Sequence, residues 1–132
     1  MALRLTNVGL QRSVEYILGI TQNELIVPGA WLTLFTTGPS NLGAGDVELA
    51  GYARVDLDTW SQSVAWPSDT ATLAGGYQVL SMPACSVTGW GISNADFGGD
   101  LLAFELYATP VTFSAGDRYS LSPGDIAILV ST

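Results

Sequence analysis

Asp56 and Asp58 stand two residues apart in Arg54-Val55-Asp56-Leu57-Asp58. In an extended strand that spacing puts both carboxylates on one face, about 7 Å apart along the chain. Paired carboxylates are the equipment of glycoside hydrolysis, one as acid and the other as nucleophile or base. In a chain with 12 acidic residues such a pair arises readily by chance, and solvated charge on a strand face is the simpler meaning. Other chemistry is removed by what is missing. The sequence contains no His and no Lys, so there is no Ser-His-Asp or Cys-His arrangement, no Schiff base, no imidazole-ligated metal and no P-loop lysine. No catalytic, cofactor-binding or metal-ligating residue is assigned.

Three further features carry chemical meaning. Gly-Asp recurs at Gly45-Asp46, Gly99-Asp100, Gly116-Asp117 and Gly124-Asp125, where oxygen ligands for calcium would be available. The Asp-x-Asp-x-Asp-Gly pattern with its distant Glu is absent, however, and a turn between apolar segments explains each dipeptide. Cys85 is alone and sits in Ala84-Cys85-Ser86-Val87, which reads as a buried, inert thiol without a disulfide partner. Four Trp and five Tyr offer flat faces that stack on sugar rings or anchor protein interfaces. Trp60 and Trp66 lie in a polar, irregular segment and are the pair expected to be partly exposed, whereas Trp31 and Trp90 sit within apolar strands and are expected in the core.

The elements that would position these residues follow from periodicity. Leu10, Val14, Ile17 and Leu18 recur at helical spacing, with Thr6 or Asn7 as N-cap and Gly19 as terminator, which predicts one α-helix over 6–18. After Pro28-Gly29 the pattern is that of strands. Trp31–Thr37 is aromatic and β-branched, and Gly51–Leu57 alternates Ala53, Val55 and Leu57 against Tyr52, Arg54 and Asp56. Short strands are expected near Ala71–Leu73 and Tyr77–Leu80. Cys85 and Val87 share one parity while Trp90 and Ile92 share the other, so a β-bulge at Gly89 is needed to turn both pairs to one core. Asp96–Asp100 forms a hairpin loop, and Leu102, Phe104 and Leu106 are expected to face inward on the returning strand. Further strands are expected at Val111–Phe113, Arg118–Leu121 and Ile126–Val130. Short strands with turn signals at this frequency predict an all-β fold. It is read as an antiparallel β-sandwich, jelly-roll-like, with one N-terminal α-helix and a single domain over residues 1–132; an isolated barrel is the alternative.

Composition narrows the partners. Charged residues make up 12% of the chain and hydrophobic residues 48%, so Ser, Thr, Asn, Gly and small apolar groups must cover much of the surface, which suits packing against neighbours. Four Arg against 12 acids give a net charge of −8, and with Arg4, Arg12, Arg54 and Arg118 scattered singly, nucleic acid and anionic membrane surfaces are disfavoured. The first residues lack the pattern of a signal peptide, and no apolar run approaches a membrane span.

The run Gly89-Trp90-Gly91-Ile92-Ser93-Asn94-Ala95-Asp96-Phe97-Gly98-Gly99-Asp100-Leu101-Leu102-Ala103-Phe104 resembles a set of small tailed-phage virion proteins. Val111–Leu121, Pro123–Ile128, the opening Met1–Leu10 and the Gly51-Tyr52-Ala53-Arg54 segment carry the same likeness. The resemblance implies a virion structural protein, made in the host cytoplasm, with no catalytic residues or cofactor. Its expected partners are the major capsid protein or other virion proteins, and it is expected to be a homo-oligomer, trimer or dimer. Two roles follow. The first is a capsid decoration (cement) protein that stabilises the head by bridging major capsid subunits, through mass action over many sites. The alternative is a tail-fibre or adsorption module that binds a host surface glycan or protein, with Trp60, Trp66 and Tyr77 as candidate contacts.

Overall fold

Trp31-Leu32-Thr33-Leu34-Phe35-Thr36-Thr37 carries the aromatic and β-branched side chains that favour a pleated surface, and it forms the strand around which the fold is organised. The structure, a computed structural model, describes residues 4–5, 30–41, 43–65 and 68–131. Eleven strands are found in this part of the chain: β1 (Arg4–Leu5), β2 (Trp31–Thr37), β3 (Val47–Glu48), β4 (Val55–Asp56), β5 (Trp60–Ala65), β6 (Ser68–Leu73), β7 (Tyr77–Val79), β8 (Cys85–Ser93), β9 (Leu101–Phe113), β10 (Tyr119–Leu121) and β11 (Ala127–Ser131). Every pairing is antiparallel. The order β1-β9-β8-β2-β3, with β4 also on β2, makes one sheet; β11-β6-β5 and β10-β7 make two smaller ones. The all-β, antiparallel expectation holds. The helix expected over 6–18 falls outside the described residues.

One core serves all three sheets. Leu32, Leu34, Val87, Trp90, Ile92 and Ala103 from the large sheet pack in one cluster with Leu73, Val79, Leu121 and Ile126, contributed by or beside the smaller ones. Direct cross-strand partners share a face, so the pairs Leu34 with Trp90 and Leu32 with Ile92 place four of these side chains together. The opposite face is also buried at the sheet centre, at Thr33, Phe35, Ser93 and Phe104. There the Thr33 and Ser93 hydroxyls satisfy each other at 2.8 Å, as buried polar groups must.

The parity break predicted at Gly89 is present. The β8–β9 register runs Cys85 to Phe113, Ser86 to Thr112 and Val87 to Val111, then resumes at Gly89 opposite Leu106. Tyr107, Ala108, Thr109 and Pro110 therefore face Thr88 alone, and the extra residues belong to β9. Val87, Trp90 and Ile92 end in the same core, with Cys85 packed against it. The expected separate strand at Val111–Phe113 is the far end of β9, continuous with Leu101 through this bulge.

The inward face of β9 needs correction. Phe104 is buried, but so is its neighbour Ala103, while Leu102 is half-buried and Leu106 is 50% exposed. Around Ala103–Phe104 the strand lies between β1 and β8 and is covered on both faces; at Leu106 it leaves the core for the bulge. Trp31, expected in the core, is half-buried because it opens β2 at the end of the sheet. Gly51–Leu57 is strand only at Val55–Asp56, because Tyr52 and Arg54 are drawn into a side-chain network instead.

All four Gly-Asp dipeptides have a left-handed glycine, at φ of 77° for Gly45, 70° for Gly99, 88° for Gly116 and 87° for Gly124; three lie in turns, and Gly99 lies in the bend of the β8–β9 loop. Ser114–Asp117 and Ser122–Asp125 are built alike. In each, the Asp amide donates to the Ser carbonyl at 3.0 Å and the Ser amide donates to the Asp Oδ2 at 2.7 Å. Glycine at the third position of a turn closed this way defines type II, which explains Pro123 at the second. These aspartates hold turns.

Candidate binding site

Among the described residues, three places bring polar and aromatic side chains together. The first is a clamp on Arg54. Its Nε and Nη2 donate to the two carboxylate oxygens of Glu48, each at 2.8 Å, and Nη1 donates to the carbonyls of Ala95 at 2.7 Å and Gly98 at 2.9 Å. Tyr52 completes it, its hydroxyl donating to Glu48 Oε1 and accepting from the Leu34 amide, both at 2.8 Å. The planar guanidinium fork matches a carboxylate in two-point contact, and here it also ties the β8–β9 hairpin loop to β2 and β3. The Gly51–Arg54 segment is thus explained by structure: Tyr52 and Arg54 are the two residues of that motif that fasten the loop. Hydrogen bonds from Arg54 first, then from Tyr52, hold the Glu48 carboxyl below its usual range against the opposing effect of burial.

That shift has a sign. A carboxylate with a depressed folded pKa contributes stability that is fully present above its ordinary value, about 4.5 here, and is lost as pH falls through the lower folded value. Unfolding free energy measured by urea between pH 7 and pH 3 should therefore decline below about pH 4.5, and Glu48→Gln should make that decline shallower. An unchanged slope would remove Glu48 from the account. Arg54→Lys keeps the charge but loses the fork; it should cost about 1–3 kcal/mol at pH 7, because two carbonyls and a carboxylate lose their shared donor.

The second place is the segment Leu57–Trp60. Tyr77 donates its hydroxyl to Asp58 Oδ1 at 2.6 Å and accepts from the Thr59 amide at 2.9 Å, while Trp60 Nε1 donates to the Leu57 carbonyl at 2.7 Å. Trp60 and Tyr77, both half-buried against the core, flank this segment, so two of the three residues singled out from sequence are brought together. Trp66 lies outside the described residues. Asp58 is fully exposed, and the Tyr77 hydrogen bond lowers its pKa, the opposite of what a general acid requires. Asp56 is exposed as well. The two carboxylates read as solvated, in line with the sequence expectation, and Asp58 anchors Tyr77.

The third place was not singled out from sequence. A groove of about 610 Å³ is bordered by Tyr107, Val111 and Phe113 of β9, by Arg118 and Tyr119 at the start of β10, and by Asp125 of the second type II turn, with Trp90 at its base. The Tyr107 and Tyr119 hydroxyls are 2.7 Å apart, and the Phe113 and Tyr119 rings meet with centroids 5.9 Å apart, tilted by 48°. Burial raises the pKa of both phenols, so they act as hydrogen-bonding groups only. The one available signal was the aromatic recurrence Tyr107, Phe113, Tyr119. It stays unreadable in sequence because the β9 bulge decides which way Tyr107 faces. Elsewhere, the Cys85 thiol is half-buried and burial raises its pKa, consistent with an inert thiol. Among the described residues no cluster of His, Cys, Asp or Glu could hold a metal ion, and no helix is long and apolar enough to cross a membrane.

The described carboxylates of this antiparallel β module close turns and clamp a loop, beside grooves open to solvent. The comparison with protein families supplies the class: the model of the podophage GP4 fiber I protein gp80 family matches residues 20–129, and the chain belongs to that family. It is a tailed-phage virion structural protein of the tail-fibre kind. No curated protein matches the chain. The match favours the tail-fibre alternative over the decoration role.

Proposed function

We propose that the chain is a tail-fibre module that attaches to other virion proteins and presents a binding surface to the host cell. The fibre family match over residues 20–129 carries this reading. The fold is compatible with it: the antiparallel sheets share one core, and a charge-poor surface offers little repulsion at contacts between identical copies. A trimer or dimer would multiply weak surface contacts into durable adsorption. Trp60, Trp66 and Tyr77 are this reading's candidate contact residues.

Gold-labelled antibody against the chain, viewed on intact particles, tests the assignment. Label at the tail, with far fewer copies per particle than the major capsid protein, is the expected result. Label spread over the head in near-equal number to the capsid protein would restore the decoration role. Light scattering on the purified chain gives its oligomeric state, with monomer as the outcome that removes the avidity argument.

A further inference from the structure

The groove between β9 and β10 is a built feature. The four-residue excursion Tyr107–Pro110 opposite Thr88 is the kind of bulge that re-aims a side chain at the rim of a site, and it carries Tyr107 to within hydrogen-bonding distance of Tyr119. Half-buried Tyr107 and Phe113 give the walls flat apolar faces. The rim is polar and of both signs. Asp125 uses Oδ2 to hold its turn, leaving Oδ1 to accept. Arg118 is exposed and forms no ion pair among the described residues. In a chain of net charge −8, an arginine left unneutralised beside an aromatic groove is unusual, because Arg54 shows how readily a nearby carboxylate takes the other role.

Flat apolar faces beside a multiple donor and a carboxylate acceptor complement a pyranose ring. Its C–H face stacks on an aromatic side chain, while its hydroxyls accept from guanidinium and donate to carboxylate. A nucleic acid would need several cations where one is present. A peptide anchor would call for a closed apolar pocket, whereas this groove is shallow and ringed by polar groups. We propose that the groove bordered by Tyr107, Phe113, Arg118 and Asp125 binds a saccharide unit of the host cell surface. The proposal rests on the reading of the chain as a fibre module that meets the host.

Fluorescently labelled chain is incubated with cells of the strain on which the phage grows, untreated, oxidised with periodate to cleave vicinal diols, or digested with protease. Binding should survive protease and fall by about tenfold or more after periodate. Arg118→Ala, an exposed change that leaves unfolding unaltered, should lower affinity by about tenfold, the size of one interface hot spot. Tyr107→Ala should do at least as much, and Tyr107→Phe, which keeps the ring, should retain most of the binding. Leu80→Ala, an exposed change outside the groove, should bind normally. Binding that resists periodate, or Arg118→Ala and Tyr107→Ala chains that bind as the unaltered one does, would overturn the saccharide groove. Protein located at the tail that binds no cells would overturn it while leaving the fibre reading intact, whereas protein located on the head removes that reading itself.

Discussion

Replacing Trp90 by Ala should cost about 3–5 kcal/mol of stability, the largest effect expected of any single side chain in the described core. Trp90 is 2% exposed and has the largest side chain among the fully buried residues. It lies opposite Leu34 on β2 and Glu105 on β9, at the centre of the large sheet. Removing the indole takes away its own burial and leaves a void that strands paired on both sides cannot close. Since a domain of this size has roughly 5–15 kcal/mol in total, the variant should melt about 10–20 °C lower and be partly unfolded at modest urea. Trp90→Phe, which refills most of the space, should recover more than half of the loss. A Trp90→Ala chain within about 1 kcal/mol of the unaltered one would mean that the core is not organised around this residue.

Gly89→Ala should be nearly as damaging, at about 3 kcal/mol, for a different reason. A Cβ at this position would lie 2.6 Å from the Glu105 carbonyl oxygen and 2.5 Å from Pro39 Cδ. The first is backbone of the neighbouring strand and the second a ring, so neither can turn aside, and β8 and β9 must part where the bulge begins. Gly124→Ala supplies the contrast: nothing lies within 4 Å of its Cβ, but φ is 87°, so only the left-handed backbone penalty of about 1–2 kcal/mol applies. Urea midpoints should rank Gly89→Ala clearly below Gly124→Ala. The reverse order would show that strand spacing at Gly89 is looser than its contacts imply.

The arrangement that makes Gly89 so sensitive was partly legible in sequence. The switch of apolar parity between Val87 and Trp90 demands an irregularity somewhere between them, because side chains alternate faces without exception along a regular strand. Parity cannot say which of two paired strands carries the extra residues, and here it is β9. The same limit explains Leu106: it continues the alternation of Leu102 and Phe104 by type, yet it stands where the strand has left the cover of its neighbours. Trp60 and Tyr77 were found through their residue type and the polarity of their surroundings. The groove at Tyr107, Arg118 and Asp125 was not, because its residues are separated by turns whose geometry sets their approach.

By itself the sequence determined the class of this protein and the location of its turns. The Ser114–Asp117 and Ser122–Asp125 turns, each with a left-handed glycine followed by aspartate, are closed by bonds within four residues, so they are readable from four residues. The lack of His and Lys is likewise independent of folding, and it bounded the chemistry before any contact was known. Only the tertiary structure decided what the remaining charged groups are for. Arg54 and Arg118 are identical in type and equally isolated in the chain; one is clamped between Glu48 and a distant loop, and the other stands exposed at an aromatic groove. That difference comes from strand pairing over long separations, where hydrogen-bond register brings together residues whose local sequence carries no record of each other.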